Sequence, residues 1–96
     1  MGRWEILQQQ SGITDTMKIN ILSTLRTTID IHGSSNKTKI CTELQSWLIT
    51  TYGKVWAVII ADTSTYSYSV NPYDNKYLLV RETDLKWDIA VFQQIP

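Results

Sequence analysis

Two side chains in this sequence have the chemistry of a covalent catalyst, and each type occurs once: His32 and Cys41. A thiol nucleophile needs a base within hydrogen-bond reach. His32 falls at the end of a predicted helix and Cys41 on the face of the next, so a dyad between them is conceivable. The ordinary reading is a packed thiol and a helix-end histidine, whose charge suits the helix dipole. A single cysteine excludes an internal disulfide and any multi-cysteine zinc site. The acidic residues Asp62, Asp74, Asp84 and Asp88 are scattered and make no calcium loop. Gly2, Gly12, Gly33 and Gly53 are isolated, so no glycine-rich phosphate loop is present. Asn36-Lys37-Thr38 is formally a glycosylation sequon, but without a secretory signal it reads as helix capping. No catalytic residue, cofactor or metal is therefore expected.

The informative chemistry is that of the backbone. Tyr66-Ser67-Tyr68-Ser69-Val70 alternates strictly, with Tyr66, Tyr68 and Val70 on one side and Ser67 and Ser69 on the other. Asn71-Pro72 stops the pattern, because proline cannot donate to a ladder. A strand of this kind at a sheet edge offers unpaired N–H and C=O groups. It can pair with a second copy of the chain, or accept an extended peptide as an added strand.

The elements that must position this segment follow from periodicity. Residues 4–10 open as a short strand, broken at Ser11-Gly12. Thr14 or Asp15 caps a first helix, with Met17, Ile21, Leu22, Leu25 and Ile29 on its apolar face. Thr24, Thr27 and Thr28 lower its intrinsic propensity, so packing must hold it. His32-Gly33 ends it. Ser34, Ser35 and Asn36 are candidate caps for a second helix, whose stripe is Ile40, Leu44, Trp47 and Leu48 and which closes at Tyr52-Gly53. The period then changes to two. Val55 to Ala61 is apolar on both faces and reads as a central, doubly covered strand. Strands at 66–70, 77–81 and 87–92 follow, giving the order β-α-α-β-β-β-β and an α+β domain.

Composition limits the function. The 96 residues make one small domain with a formal net charge of zero, so there is no electrostatic footprint for nucleic acid or an anionic membrane. Hydrophobic residues at 43% support a core, but no run approaches the roughly 18 needed to span a bilayer. The expected setting is reducing, intracellular and cytoplasmic. A domain of this size buries only about 60–65% of its unfolded surface, and oligomerisation is a common remedy.

Several stretches together resemble the small dimeric dynein light chains. Tyr52 followed by Trp56-Ala57-Val58-Ile59-Ile60 resembles that family's Tyr-x-x-x-Trp-His-x-Ile-Val. Tyr66 to Val70 resembles its short strand, Asn75-Lys76-Tyr77-Leu78 its Lys-His-Phe-Ile, and Trp87 to Phe92 its closing strand. Ile13-Thr14, Met17 and Leu22 fit its first helix, and Ile40, Leu44 and Leu48 its second. The likeness covers residues 4–93 and is closest to the light-chain-like domain of flatworm tegumental calcium-binding proteins. There a pair of EF-hands precedes such a domain, so residues 1–96 would be the C-terminal domain of a larger, tegument-associated protein. Calcium would enter only through sites outside this chain.

The resemblance implies two helices packed on a five-stranded antiparallel sheet, completed by strand exchange in a homodimer. The strand at 66–70 would cross to the partner, with Trp56, Ala57, Tyr66, Tyr68 and Val70 at the dimer interface. Linear peptides would dock beside it, the dynein intermediate chain of the microtubule motor being one candidate partner. The implied groove comprises Gln9, Lys37, Thr38, Lys39, Tyr66, Ser67, Tyr68, Ser69, Val70 and Asn71, over a floor of Tyr77, Leu79 and Arg81. Two equal grooves would make the dimer bivalent. Thr38 stands where the family has a lysine, and Leu79 and Arg81 where it has tyrosines, so a motif with glutamine between threonines is expected to bind poorly. Ala57 replaces the family's interface histidine, so the dimer is expected to persist in mild acid. The alternative is a purely structural dimerisation domain.

Overall fold

The computed structural model describes residues 4–33, 35–53, 55–63 and 76–94. Their order is β1 (Trp4–Gln9), α1 (Asp15–His32), α2 (Lys37–Tyr52), β2 (Trp56–Asp62), β3 (Tyr77–Glu82) and β4 (Trp87–Gln93). The four strands form one antiparallel sheet in the order β1-β3-β4-β2. This is the expected α+β arrangement. The expected fifth strand, residues 66–70, lies outside the described residues.

Both helices bury the stripes read from their spacing. Thr14 caps α1, its Oγ1 accepting from Met17 N–H at 3.1 Å. Asp15 adds a favourable charge to the first turn. Ile21, Leu25 and Ile29 are buried, together with Thr28. The threonines are accommodated by back-bonding: the hydroxyls of Thr24, Thr27 and Thr28 donate to the carbonyls of Asn20, Ser23 and Thr24. Gly33, at φ 79°, ends α1 and donates its N–H to Ile29 C=O at 2.8 Å. Asn36 holds the cap position of α2 but makes no side-chain cap bond. Ile40, Leu44 and Leu48 are buried, and Trp47 packs edge-on to Tyr52, ring centroids 5.6 Å apart.

The helices cover one face of the sheet. The core there joins Ile21, Leu25, Ile40, Leu44 and Leu48 to Trp56, Leu78, Val80, Trp87, Ile89 and Val91. The opposite face carries a second, smaller apolar cluster of Tyr77, Ala90 and Phe92, flanked by Ala57, Ile59 and Leu79.

Val55 to Ala61 is covered on both faces, as its apolar run implies, and among the described residues β2 pairs with β4 alone. Val58 and Ile60 face the helix-side core, and Ala57 and Ile59 face the second cluster. Cover on both faces produced the continuous apolar pattern, and such a pattern does not report lateral position in the sheet.

Candidate functional site

The outer edge of β2 is where this sheet can be extended. Gln94 N–H donates to Val55 C=O and Thr63 N–H to Lys86 C=O, which fixes the phase of the β2·β4 ladder. Antiparallel pairing alternates, so Ala57, Ile59 and Ala61 bond inward to β4. The N–H and C=O groups of Trp56, Val58 and Ile60 therefore point outward.

Helix α2 runs antiparallel to this edge and reaches it with Lys37 at one end and Gln45 at the other. Lys37 Nζ pairs with Asp62 Oδ1 at 3.1 Å and lies 5.3 Å from the Trp87 ring centroid. Cys41, one turn on, is half-buried. Gln45 Nε2 donates to Trp56 C=O at 2.8 Å. Eight helical residues rise about 12 Å, whereas six strand residues span about 20 Å. The long side chains at the two ends make up the difference, and the short thiol sits between them. Burial pushes the Cys41 thiol above its ordinary value of 9.0, with the Ile60 N–H opposing that shift.

The residues expected to carry chemistry or binding separate in space. His32 Nε2 stands 2.9 Å from Glu43 Oε2. Glu43 and Cys41 are two residues apart on α2 and so on opposite flanks of it. His32 and Cys41 thus engage different neighbours. Lys37, Thr38 and Lys39 open α2 as expected, with Thr38 and Lys39 exposed. Gln9 lies at the diagonally opposite corner of the sheet, its Nε2 donating to Ile13 C=O at 2.8 Å and Asp15 Oδ1 at 3.3 Å. One chain does not bring Gln9 and Lys37 together. Tyr77, Leu79 and Arg81 share the face away from the helices, next to Ala57. Trp56, expected at a subunit interface, has its side chain fully buried on the helix side. Tyr66, Ser67, Tyr68, Ser69, Val70 and Asn71 lie outside the described residues.

The sequence reading missed Gln45 and a row of charges. Arg81 is bidentate on Asp88, Nε–Oδ1 2.7 Å and Nη2–Oδ2 3.1 Å, and Glu5 stands 4.0 Å from its Nη1. The register places Glu5, Arg81 and Asp88 side by side across β1, β3 and β4. Asp88 is only 4% exposed, and Thr63 Oγ1 also donates to it at 3.3 Å. Among the described residues no group of three or more His, Cys, Asp or Glu could hold a metal, and no helix is long and apolar enough to cross a membrane.

This arrangement of helices and strands recurs in solved structures. The light-chain-like domain of calcium-binding protein FhCaBP2 from Fasciola hepatica superposes with a TM-score of 0.79, at 11% identity over 97% of this chain and 93% of that one. The fold is that of a dynein light chain-like domain. A native crystal form of the FhCaBP2 domain gives a TM-score of 0.76 at 12% identity, covering 94% of this chain and 89% of that one. The light-chain-like domain of CsTAL3 gives 0.71 at 16% identity, covering 97% and 94%. No family model and no curated protein sequence matches the chain. At such identities the likeness establishes the fold, including the two helices on one antiparallel sheet.

Proposed function

We propose that this domain is a non-enzymatic homodimerisation module that docks linear peptides by strand addition. The observation that carries the reading is the open edge of β2, where nothing among the described residues bonds the outward N–H and C=O of Val58. The occupant is the Tyr66–Val70 segment of a second copy. It is uncharged and alternates with a period of two, and β2 from Trp56 to Ala61 is likewise uncharged. Main-chain pairing of this kind adds about 0.5–1.5 kcal/mol net per hydrogen bond. Burial of the tyrosine side adds about 25 cal/mol per Å².

The neighbours' context supplies the wider setting. Two of the similar structures are of a domain of one calcium-binding protein, FhCaBP2. In this reading the domain would pair two copies of a larger protein whose EF-hands lie elsewhere, in the cytoplasm or tegument of a flatworm. Peptide partners would include the dynein intermediate chain only if the altered groove admits it. Arg81, already bidentate on Asp88, favours a second reading, a structural dimer without peptide binding.

Sedimentation equilibrium over a wide concentration range tests the first step, and a monomer at the highest soluble concentration refutes it. Calorimetric titration with a panel of extended peptides then separates the two readings. Heat at a stoichiometry of one peptide per chain supports docking, and silence across the panel supports the structural dimer.

A further inference from the structure

We infer that a bulge at Leu7 closes the β1 edge to strand addition, so that this sheet grows at β2 alone. The closed edge is read from β1 itself. What joins at β2 rests on the strand-addition reading above.

An open four-stranded sheet has two edges, held among the described residues by β1 and β2. Hydrophobicity does not separate them. Ile6 and Leu7 of β1 are 39% and 38% exposed, which by itself would invite another strand. The edges differ in spacing. Gln10 N–H donates to Tyr77 C=O, which fixes the phase of the β1·β3 ladder. Alternation then turns Gln8 and Glu5 inward, opposite Leu79 and Arg81. Trp4, Ile6 and Gln9 turn outward. The register shifts between Ile6 and Gln8, with Leu7 the extra residue.

The outward positions are therefore 4, 6 and 9 on β1, but 56, 58 and 60 on β2. An incoming strand presents its bonding residues at every second position. It stays in step with all three positions of β2. On β1 it matches Trp4 and Ile6 and is then thrown out of phase. Gln9 ends the strand, and its side chain is drawn into the turn before α1 by bonds to Ile13 C=O and Asp15 Oδ1. Charge reinforces the block. The two-fold alignment of two β1 strands that pairs Trp4 with Ile6 sets Glu5 directly opposite its own copy, like charge against like. On β2 the stretch from Trp56 to Ala61 is uncharged.

Amide exchange below and above the concentration of association reads both edges in the natural chain. Exchange at Val58 should slow on association, and exchange at Ile6 should not change. Slowing at Ile6 overturns the inference. Proline at an outward position removes an edge N–H and no ladder bond. Ile6→Pro should leave the sedimentation-equilibrium constant within about twofold, and Val58→Pro should weaken it about tenfold or more. Weaker association in Ile6→Pro also overturns the inference. Deletion of Leu7 with Glu5→Thr makes the outward spacing of β1 even and removes its charge. That variant should form species beyond the dimer, in which Ile6 is protected from exchange. A folded variant with the natural distribution of species overturns the inference while leaving docking at β2 standing. A natural chain monomeric at every concentration overturns the docking reading instead, and the Leu7 deletion, which should associate even then, decides the closed edge separately.

Discussion

Replacing Arg81 by leucine should destabilise the fold by about 2–3 kcal/mol. Asp88 is 4% exposed and its two oxygens receive the Nε and Nη2 of Arg81 at 2.7 and 3.1 Å. Breaking a buried pair from one side typically costs about 3–5 kcal/mol, because the remaining charge stays desolvated. The figure here is lower for two reasons. The Arg81 side chain is 32% exposed, so solvent already screens part of the attraction. Thr63 Oγ1, at 3.3 Å, still donates to Asp88 after the change. For a chain of this size the urea dependence is about 1–1.5 kcal/mol per M, so the midpoint should fall by about 2 M. Asp88→Asn alone should cost less, since an amide tolerates burial better than an unpaired carboxylate. The double variant Arg81→Leu with Asp88→Leu should recover most of the loss, because no buried charge is then left alone. Urea melts of the natural chain and these three variants, followed by tryptophan fluorescence, rank their stabilities directly. A single Arg81→Leu variant within 0.5 kcal/mol of the natural chain, or a double variant no better than it, would refute the reasoning that Asp88 depends on this partner.

Trp56 is fully enclosed between the helices and the sheet, so Trp56→Ala should cost about 3–5 kcal/mol and Trp56→Phe distinctly less, measured by thermal unfolding. Thr14→Ala removes the side-chain bond to Met17 N–H and should cost about 1 kcal/mol in the same assay. Cys41 should alkylate more slowly at pH 8.5 than the same thiol in the unfolded chain, because burial holds its ionisation above 9.0. The same shift has a stability consequence: the folded state favours the neutral thiol, so its contribution is whole below pH 9.0 and is lost as the pH rises above that value. Cys41→Ala should flatten that part of the pH–stability curve. The proposed dimer should persist at pH 5 by sedimentation, since Ala57 offers no imidazole to protonate on the face it shares with Tyr77 and Phe92.

The legible and illegible parts of this fold divide along one physical line. Helix faces and strand existence are local properties, carried by spacings such as Ile21-Leu25-Ile29 and Ile40-Leu44-Leu48, and each of these triplets is buried. Caps are local too, which is why Thr14 and Gly33 stand where their chemistry placed them. Lateral order in a sheet is not local. The apolar run from Val55 to Ala61 reports cover on both faces and nothing of its lateral neighbours, of which the described residues supply β4 alone. The Arg81–Asp88 pair was within reach once the hairpin was fixed. A turn of Thr83 to Lys86 sets Glu82 opposite Trp87 and hence Arg81 opposite Asp88. The Glu82 carboxylate, accepting from Asp84 N–H at 2.6 Å and Leu85 N–H at 3.2 Å, holds that turn. The polar flank Lys37-Cys41-Gln45 carried a signal as well, since each member precedes by three residues a member of the buried stripe at Ile40, Leu44 and Leu48. A residue three before a buried one shares its side of the helix but sits toward the rim, where the helix meets the outer strand of the sheet. Polar side chains with donors or acceptors at such rim positions are what an exposed strand edge requires, because its outward backbone groups need partners of either kind. Gln45 is the member that meets this requirement, donating to Trp56 C=O at 2.8 Å, whereas Lys37 reaches the Asp62 carboxylate instead.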